Sequence, residues 1–361
     1  MRHRAVCLTT LLAILLVTSL CSAQAGSSES RSGSGAEQSV EGAEVKGPEA
    51  QGPEAQAKRK RSLVDPSIQP YRKVTNVSGS LNAIGSDTLN NLMTFWAEGF
   101  RKLYPNVKIQ IEGKGSATAP PALLAGTADM GPMSRSMRKS EIDAFKRKYG
   151  YPPLQIAVAI DALAVYVHKD NPIESLSLRQ LDAIFSKQRR GGLERALTQW
   201  GQLELGDAWD GKAIRLYGRN SASGTYAYFK NVALFDGDYK NTVKAQPGSS
   251  AVVSSVAKDI HGIGYSGVGY RTSGVRVVPL SKGEGQAYSA TSAPDVYAGR
   301  YPLSRFLYIY VNQAPGKPLP PRLIEFLRFV LSREGQQLVE ADGYLPMTAR
   351  LRQRSLRKLG L

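Results

Sequence analysis

Residues 217–229 read YGRNSASGTYAYF, placing one arginine, three hydroxyl side chains and a glycine directly ahead of a segment with helical spacing. These residue types in this order suit the holding of a small oxyanion. Ser221, Ser223 and Thr225 carry O–H donors, the first N–H groups of a helix have no intrahelical partner, and the Arg219 guanidinium is a planar fork matching a tetrahedral oxyanion. A lysine-ended phosphate loop is not needed for this. Two more hydroxyl-bearing turns, one with Ser86, Asp87 and Thr88 and one with Ser116 and Thr118, stand between strand-like and helix-like segments. One such turn is ordinarily just a helix cap, but three of like chemistry together with an arginine point to a shared anion site.

The surrounding pattern says how they are positioned. Residues 79–84 read as a strand, and Leu89, Leu92, Met93, Trp96, Phe100 and Leu103 then recur at helical spacing. Val107, Ile109 and Ile111 alternate with Lys108 and Gln110, the period of a second strand. The unit repeats: a helix opened by Pro120 and Pro121 ends near Gly126, residues 128–131 follow, and Ser140 caps a helix stopped by Gly150. Residues 154–160 and 163–168 are apolar runs of strand type, and Ser177 caps a helix through Phe185. The expected fold class is therefore α/β with a largely parallel sheet, in which ligands collect at the carboxyl ends of strands where loops enter helices.

Residues 1–25 carry Arg2 and Arg4, an apolar run and a small-residue site at Ala23, Gln24 and Ala25, which reads as a cleaved secretory leader too short to span a membrane. Both cysteines, Cys7 and Cys21, lie inside it, so the mature chain is expected to have no disulfide or thiol chemistry. The alternative, lipid anchoring at Cys21, fits less well: Thr18, Ser19 and Leu20 lack the usual leucine at minus three and small residue at minus one. Residues 26–70 read as a disordered linker in which GPEAQ occurs twice, followed by the basic run at 58–61. About 290 residues remain for folding. The formal net charge of +17 suits an anionic ligand, but Lys and Arg are spread along the chain without interleaved aromatics, so no nucleic-acid partner is expected.

Catalysis is poorly supplied. Past the leader only His168 and His261 remain, the sequence from Gly264 misses G-x-S-x-G at its last position, and no clustered ligand set for a metal is apparent. G-x-G-x-x-G at 262–267 runs on into another apolar strand pattern at 275–280, where a dinucleotide fingerprint requires a helix, so it reads as a packed strand and turn. Phe229 and residues 232–235 read as the core face of the helix after the arginine loop. The basic stretch 350–358 reads as a helix open to membrane, transporter or solvent. Neither enzyme nor cofactor is expected.

A combination of motifs resembles the phosphate-binding proteins of bacterial phosphate ABC transporters, the PstS type of the type II periplasmic binding protein family. They are GSDTL at 85–89, GKGSA at 113–117, TADMGPMSRSM at 127–137, residues 159–186, GRNSASGTYAYF at 218–229, GIGYSGVGY at 262–270 and YPLSRFLYIYV at 301–311. The resemblance covers residues 79–347 and implies two α/β lobes joined by two crossing strands, near 160–163 and 304–309. It implies a first lobe of residues 71–160 with a return at 304–361, a second lobe of 161–303, and closure on inorganic phosphate. Matched by motif, the implied ligands are Thr88, the backbone N–H of Leu89, Ser116, Ser134, Arg219, Ser223, Gly224 and Thr225, with Ser86, Asp87, Arg135 and Ser221 as further candidates. The implied partner is a permease pair in the inner membrane, served by a periplasmic or secreted monomer. The alternative is a secreted phosphohydrolase or an adhesion or biofilm protein on the same fold. Two departures stand out: Ser134 occupies the place of an aspartate that accepts the phosphate proton in some members, and Ser221 that of an acid two residues after the arginine. Both imply a less negative pocket with weaker rejection of sulfate.

Overall fold

The computed structural model describes residues 62–361. The expected leader and most of the expected linker lie outside the described residues. The elements run β1 (Gly79–Ile84), α1 (Asn90–Leu103), β2 (Val107–Glu112), α2 (Ala119–Ala125), β3 (Met130–Met133), α3 (Lys139–Tyr149) and β4 (Leu154–His168). There follow β5 (Leu176–Ser177), α4 (Leu178–Phe185), β6 (Arg215–Arg219), α5 (Gly224–Ala233), β7 (Lys244–Gln246), α6 (Ser249–Ala257), β8 (Gly262–Gly267), β9 (Val275–Val278) and β10 (Leu280–Ser281). The chain closes with α7 (Ala293–Tyr297), β11 (Ser304–Val311), α8 (Pro321–Val330), α9 (Arg333–Ala341) and α10 (Ala349–Lys358).

One sheet runs β2-β1-β3-β11-β4-β8-β6-β7, with β9 also paired to β4. Its two ends are parallel (β1 with β2 and β3, β6 with β7 and β8), whereas the pairs through β11 and β4 are antiparallel. The two apolar runs at 154–160 and 163–168 form a single strand. Asp161 between them does not break it, because that residue keeps its place in the ladder opposite Arg305. The first part of β4 pairs with β11, and the second with β8 and β9.

That division separates two cores. Ile156 and Val158 pack with Leu81, Leu92, Trp96, Phe100 and Phe326. Val165 and Val167 pack with Phe185, Phe229, Val252, Ile263 and Tyr265. Each such buried side chain contributes roughly 1.5–3 kcal/mol by leaving water, so each half has the means to hold its own shape. β4 and β11 therefore run between the two cores.

Some local expectations are corrected. Helix α3 starts at Lys139, ahead of the expected Ser140 cap, because the Glu141 carboxylate turns back to accept from the Arg138 N–H at 2.8 Å. Residues 62–70 belong to the folded part: Ile68 is fully buried, Arg333 donates to the carbonyls of Ile68 and Pro66, and Ser62 donates to Glu340. The basic C-terminal helix α10 is docked, with Ser355 donating to Ala157 O at 2.8 Å and Lys358 to Gln155 O at 3.0 Å. Helix α5 buries Phe229 and Ala233, but the chain turns at Phe235 with φ 48° and leaves that ring exposed.

Candidate functional site

Four strand ends feed the expected loops. β1 runs into the 3-10 turn Asp87–Leu89, β2 into the turn Ser116–Thr118, β3 into Ser134, and β6 ends on Arg219 just before α5. Ser86, Thr88, Ser116, Ser134, Ser223 and Thr225 are all buried, in a region where an unpaired hydroxyl is costly. They are instead linked. Ser86 donates to Ser134 Oγ at 3.1 Å, Ser116 and Ser134 share a contact of 3.3 Å, and the Ser134 N–H donates to Ser116 Oγ at 3.0 Å. Thr88 and Thr225 meet at 2.9 Å between their Oγ1 atoms, joining the first half of the molecule to the second.

The N-terminus of α5 closes this cluster from the other side. Ser223 is its cap, accepting from the N–H of Thr225 at 3.1 Å and of Tyr226 at 3.3 Å. A Cβ at Gly224 would lie 2.3 Å from Ser116 Oγ and 2.6 Å from Ser134 Oγ, so only glycine lets the helix come this close. Opposite it, Gly115 has φ 117° and passes within 2.6 Å (as a Cβ) of the Ala222 carbonyl, while the Ala117 N–H donates to that same oxygen at 3.0 Å. Leu89 is buried at the end of its turn. Tyr270 and Tyr344 pin that turn by donating to Thr88 O at 3.3 and 2.8 Å, and Tyr270 also to Asp87 O at 3.0 Å.

Arg219 is 2% exposed. Its Nη2 lies 3.1 Å from Asp87 Oδ2 in the other half of the molecule, and its Nη1 donates to Ser249 Oγ at 2.6 Å. The Ser249 N–H and Oγ both donate to Asp87 Oδ2 at 2.8 Å, completing a three-residue ring. Burial lowers the Arg219 pKa and the Asp87 charge works against that shift, which leaves a cation next to its counter-ion. Arg219 Nε is buried with no partner. A guanidinium with an unused buried donor beside a cluster of hydroxyls can bind an oxyanion.

Not every candidate belongs to this arrangement. Ser221 is exposed, apart from the buried hydroxyls. Arg135 is buried but committed: its Nη1 and Nη2 donate to the two Glu141 carboxylate oxygens at 2.8 and 2.7 Å. Its charge is paired with Glu141 of α3, so Arg135 is not a free cation. Positions 134 and 221 carry no acid, but Asp87, one of the further candidates, faces Arg219 across the halves. Ser249 and the pair formed by Asp161 and Arg305 went unread. The latter pair left a signal, because each is a lone charge inside an apolar strand run.

Behind the Thr88 turn, Asp342 at the end of α9 accepts from the Asn91 side chain. Burial pushes its carboxyl up to about 6 from an ordinary 3.8, the Asn91 hydrogen bond opposing the shift. The folded state thus holds a proton that the unfolded state releases, and the stability this supplies is complete below pH 4 and lost as pH rises through 6. Asp342→Asn, which mimics the protonated form, is expected to be more stable than the parent at pH 7–8 by about 1–2 kcal/mol, after allowance for partial solvent contact. Thermal unfolding from pH 4 to 8 checks this, with the gain vanishing near pH 4; a gain that does not depend on pH would contradict it.

A family model described as a PBP superfamily domain matches residues 71–334. The phosphate-binding protein PstS of Pseudomonas aeruginosa is 53% identical over 298 residues, covering 82% of this chain and 92% of that protein. The chain belongs to the PBP superfamily and, within it, to the PstS family. Its fold is shared with a substrate-binding protein from Clostridium perfringens solved with bound phosphate (TM-score 0.63, 23% identity, covering 75% of this chain and all of that one). It is also shared with an ABC-type phosphate transport receptor from Vibrio cholerae (TM-score 0.57, 21% identity, covering 74% and 100%). The PstS-family fold is the two-lobed α/β arrangement that the motifs implied.

Proposed function

We propose that the chain is an extracytoplasmic solute-binding protein that captures inorganic phosphate between its two lobes and delivers it to an ABC importer, without chemical turnover. The observation that supports this most is the meeting of hydroxyls from both halves, through Thr88 and Thr225, beside the buried Arg219. Phosphate is held, on this reading, by Thr88, the Leu89 N–H, Ser116, Ser134, Arg219 and the helix start at Ser223, Gly224 and Thr225, with Ser86 steadying Ser134. The lobes comprise residues 71–160 with 304–361, and 161–303. The protein acts as a monomer, exported by its leader to the periplasm, where a membrane permease pair receives the ligand. Among the described residues no helix is long and apolar enough to cross a membrane. Phosphate-stripped protein is expected to take up phosphate and to release none from an aryl phosphate ester. Steady release from the ester would favour a phosphohydrolase.

Asp87 gives the site a basis for selectivity. Its Oδ2 carries the bonds from Arg219 and Ser249, and its side chain stays partly exposed, so Oδ1 can accept the proton that phosphate carries near neutral pH. Sulfate brings no proton and meets that carboxylate as a like charge. Ser134 can turn its hydroxyl either to accept or to donate, and discriminates less. Asp87→Asn is therefore expected to narrow the preference for phosphate over sulfate by about tenfold, one charged hydrogen bond's worth. Competition titration at pH 7 measures the ratio; an unchanged ratio would assign the proton to another acceptor.

A further inference from the structure

We propose that Arg305 is a positioning residue for the anion site: it fixes the Thr225 hydroxyl as a committed hydrogen-bond donor, while Asp161 holds the guanidinium in place. The inference rests on the reading that the hydroxyl cluster holds phosphate. Arg305 Nη2 lies 2.9 Å from Thr225 Oγ1. A guanidinium has donors only, so in this contact the threonine oxygen must accept. Its single hydrogen then points away from Arg305, towards Thr88 at 2.9 Å or towards an anion oxygen that takes its place. An oxyanion accepts and never donates, and a hydroxyl already turned to donate needs no reorientation when the anion arrives.

Arg305 is held through Nε and Nη2, and its buried Nη1 has no partner. Its Nε and Nη2 reach Asp161 Oδ2 at 2.9 and 2.7 Å, and the two residues face each other in register across β11 and β4 where the strands pass between the halves. Their side chains are 4% and 0% exposed. The guanidinium carbon lies 5.2 Å from the centre of the Tyr228 ring, whose hydroxyl donates to Ser304 O at 2.7 Å. A buried ion pair of this kind adds little net stability over apolar residues of similar volume, so stability alone gives weak reason for two charges within an apolar strand pair. Asp161 cancels the charge of Arg305. What reaches the site is an orientation, with little extra attraction.

The test is a double-mutant cycle on full-length, phosphate-stripped protein, with phosphate dissociation constants from calorimetry and thermal unfolding as the check on folding. Replacing only Arg305 would strand the buried Asp161, so the pair variant is Asp161→Asn with Arg305→Met, combined or not with Thr225→Val. The pair variant is expected to weaken phosphate binding by about tenfold when Thr225 is present and by no more than about twofold on the Thr225→Val background, because the orientation has then nothing to act on. Equal weakening on both backgrounds would overturn the proposal and leave Arg305 a merely structural group. Should the pair variant not fold, Arg305→Lys serves instead: it keeps the ion pair and displaces the donor, and its several-fold weakening is likewise expected to vanish with Thr225→Val. Arg219→Ala is run in parallel. If it binds phosphate as tightly as the parent, the anion lies elsewhere and the proposal falls with its premise, a failure distinct from additivity in the cycle.

Discussion

Arg219→Ala is expected to weaken phosphate binding by roughly 30-fold to several-thousand-fold, a loss on the order of 2–5 kcal/mol. Hydrogen bonds to charged groups are worth about 1.5–3 kcal/mol net, roughly twice neutral ones, and the Arg219 guanidinium, paired with Asp87 next to Thr88, keeps its buried Nε donor unused. Its removal acts twice. The anion loses its charged partner, and Asp87, now without the 3.1 Å ion pair and held only by Ser249, is left as a charge without a counter-ion next to the site. Arg219→Lys is expected to recover only part of the loss, because an ammonium cannot reach Asp87, Ser249 and an anion in one planar fork. Calorimetry on stripped protein checks both variants, and parent-like affinity in the alanine variant would move the site.

Gly224→Ala is expected to weaken binding by about 100-fold or more while leaving each half folded. The added methyl would sit 2.3 Å from Ser116 Oγ, 2.6 Å from Ser134 Oγ and 2.9 Å from Ser116 Cβ. The two hydroxyls can swing aside, but the Ser116 Cβ cannot, so relief requires the halves to separate by on the order of an ångström, enough to cost about 100-fold in a site built from donors on both sides. Gly224 is not in the left-handed φ region, hence the penalty is one of space and falls on closure. Small-angle scattering should show that phosphate reduces the radius of gyration of the parent but not of this variant. Closure and affinity like those of the parent would show that the contact yields without cost.

The strand, turn and helix order of the first half was legible because its apolar residues follow the periods of 2.0 and 3.6 closely, and β1, α1 and β2 fall within a residue of expectation. The three hydroxyl turns were legible for the same reason, as each sits where one period gives way to the other. What escaped depends on partners far apart in sequence. Ser249 opens a helix of ordinary composition, and only the fold brings it to Arg219 and Asp87. The side-chain direction of Arg135 is decided by Glu141, which in turn depends on α3 starting at Lys139. Asp161 looked like a gap between two strands because a charge within an apolar run ordinarily ends it. Arg305 across the ladder removes that objection, and the pairing cannot be read from either strand alone. The acid next to Arg219 was sought two residues downstream, at Ser221, whereas it comes from Asp87 in the other half.

Titration calorimetry of phosphate-stripped protein with phosphate, and separately with sulfate at the same concentrations, bears most directly on capture between the halves. Saturable binding of one phosphate per chain is predicted, at least about tenfold tighter than sulfate and largely lost in Arg219→Ala. An absence of phosphate binding, or phosphate binding that survives Arg219→Ala unchanged, would contradict it.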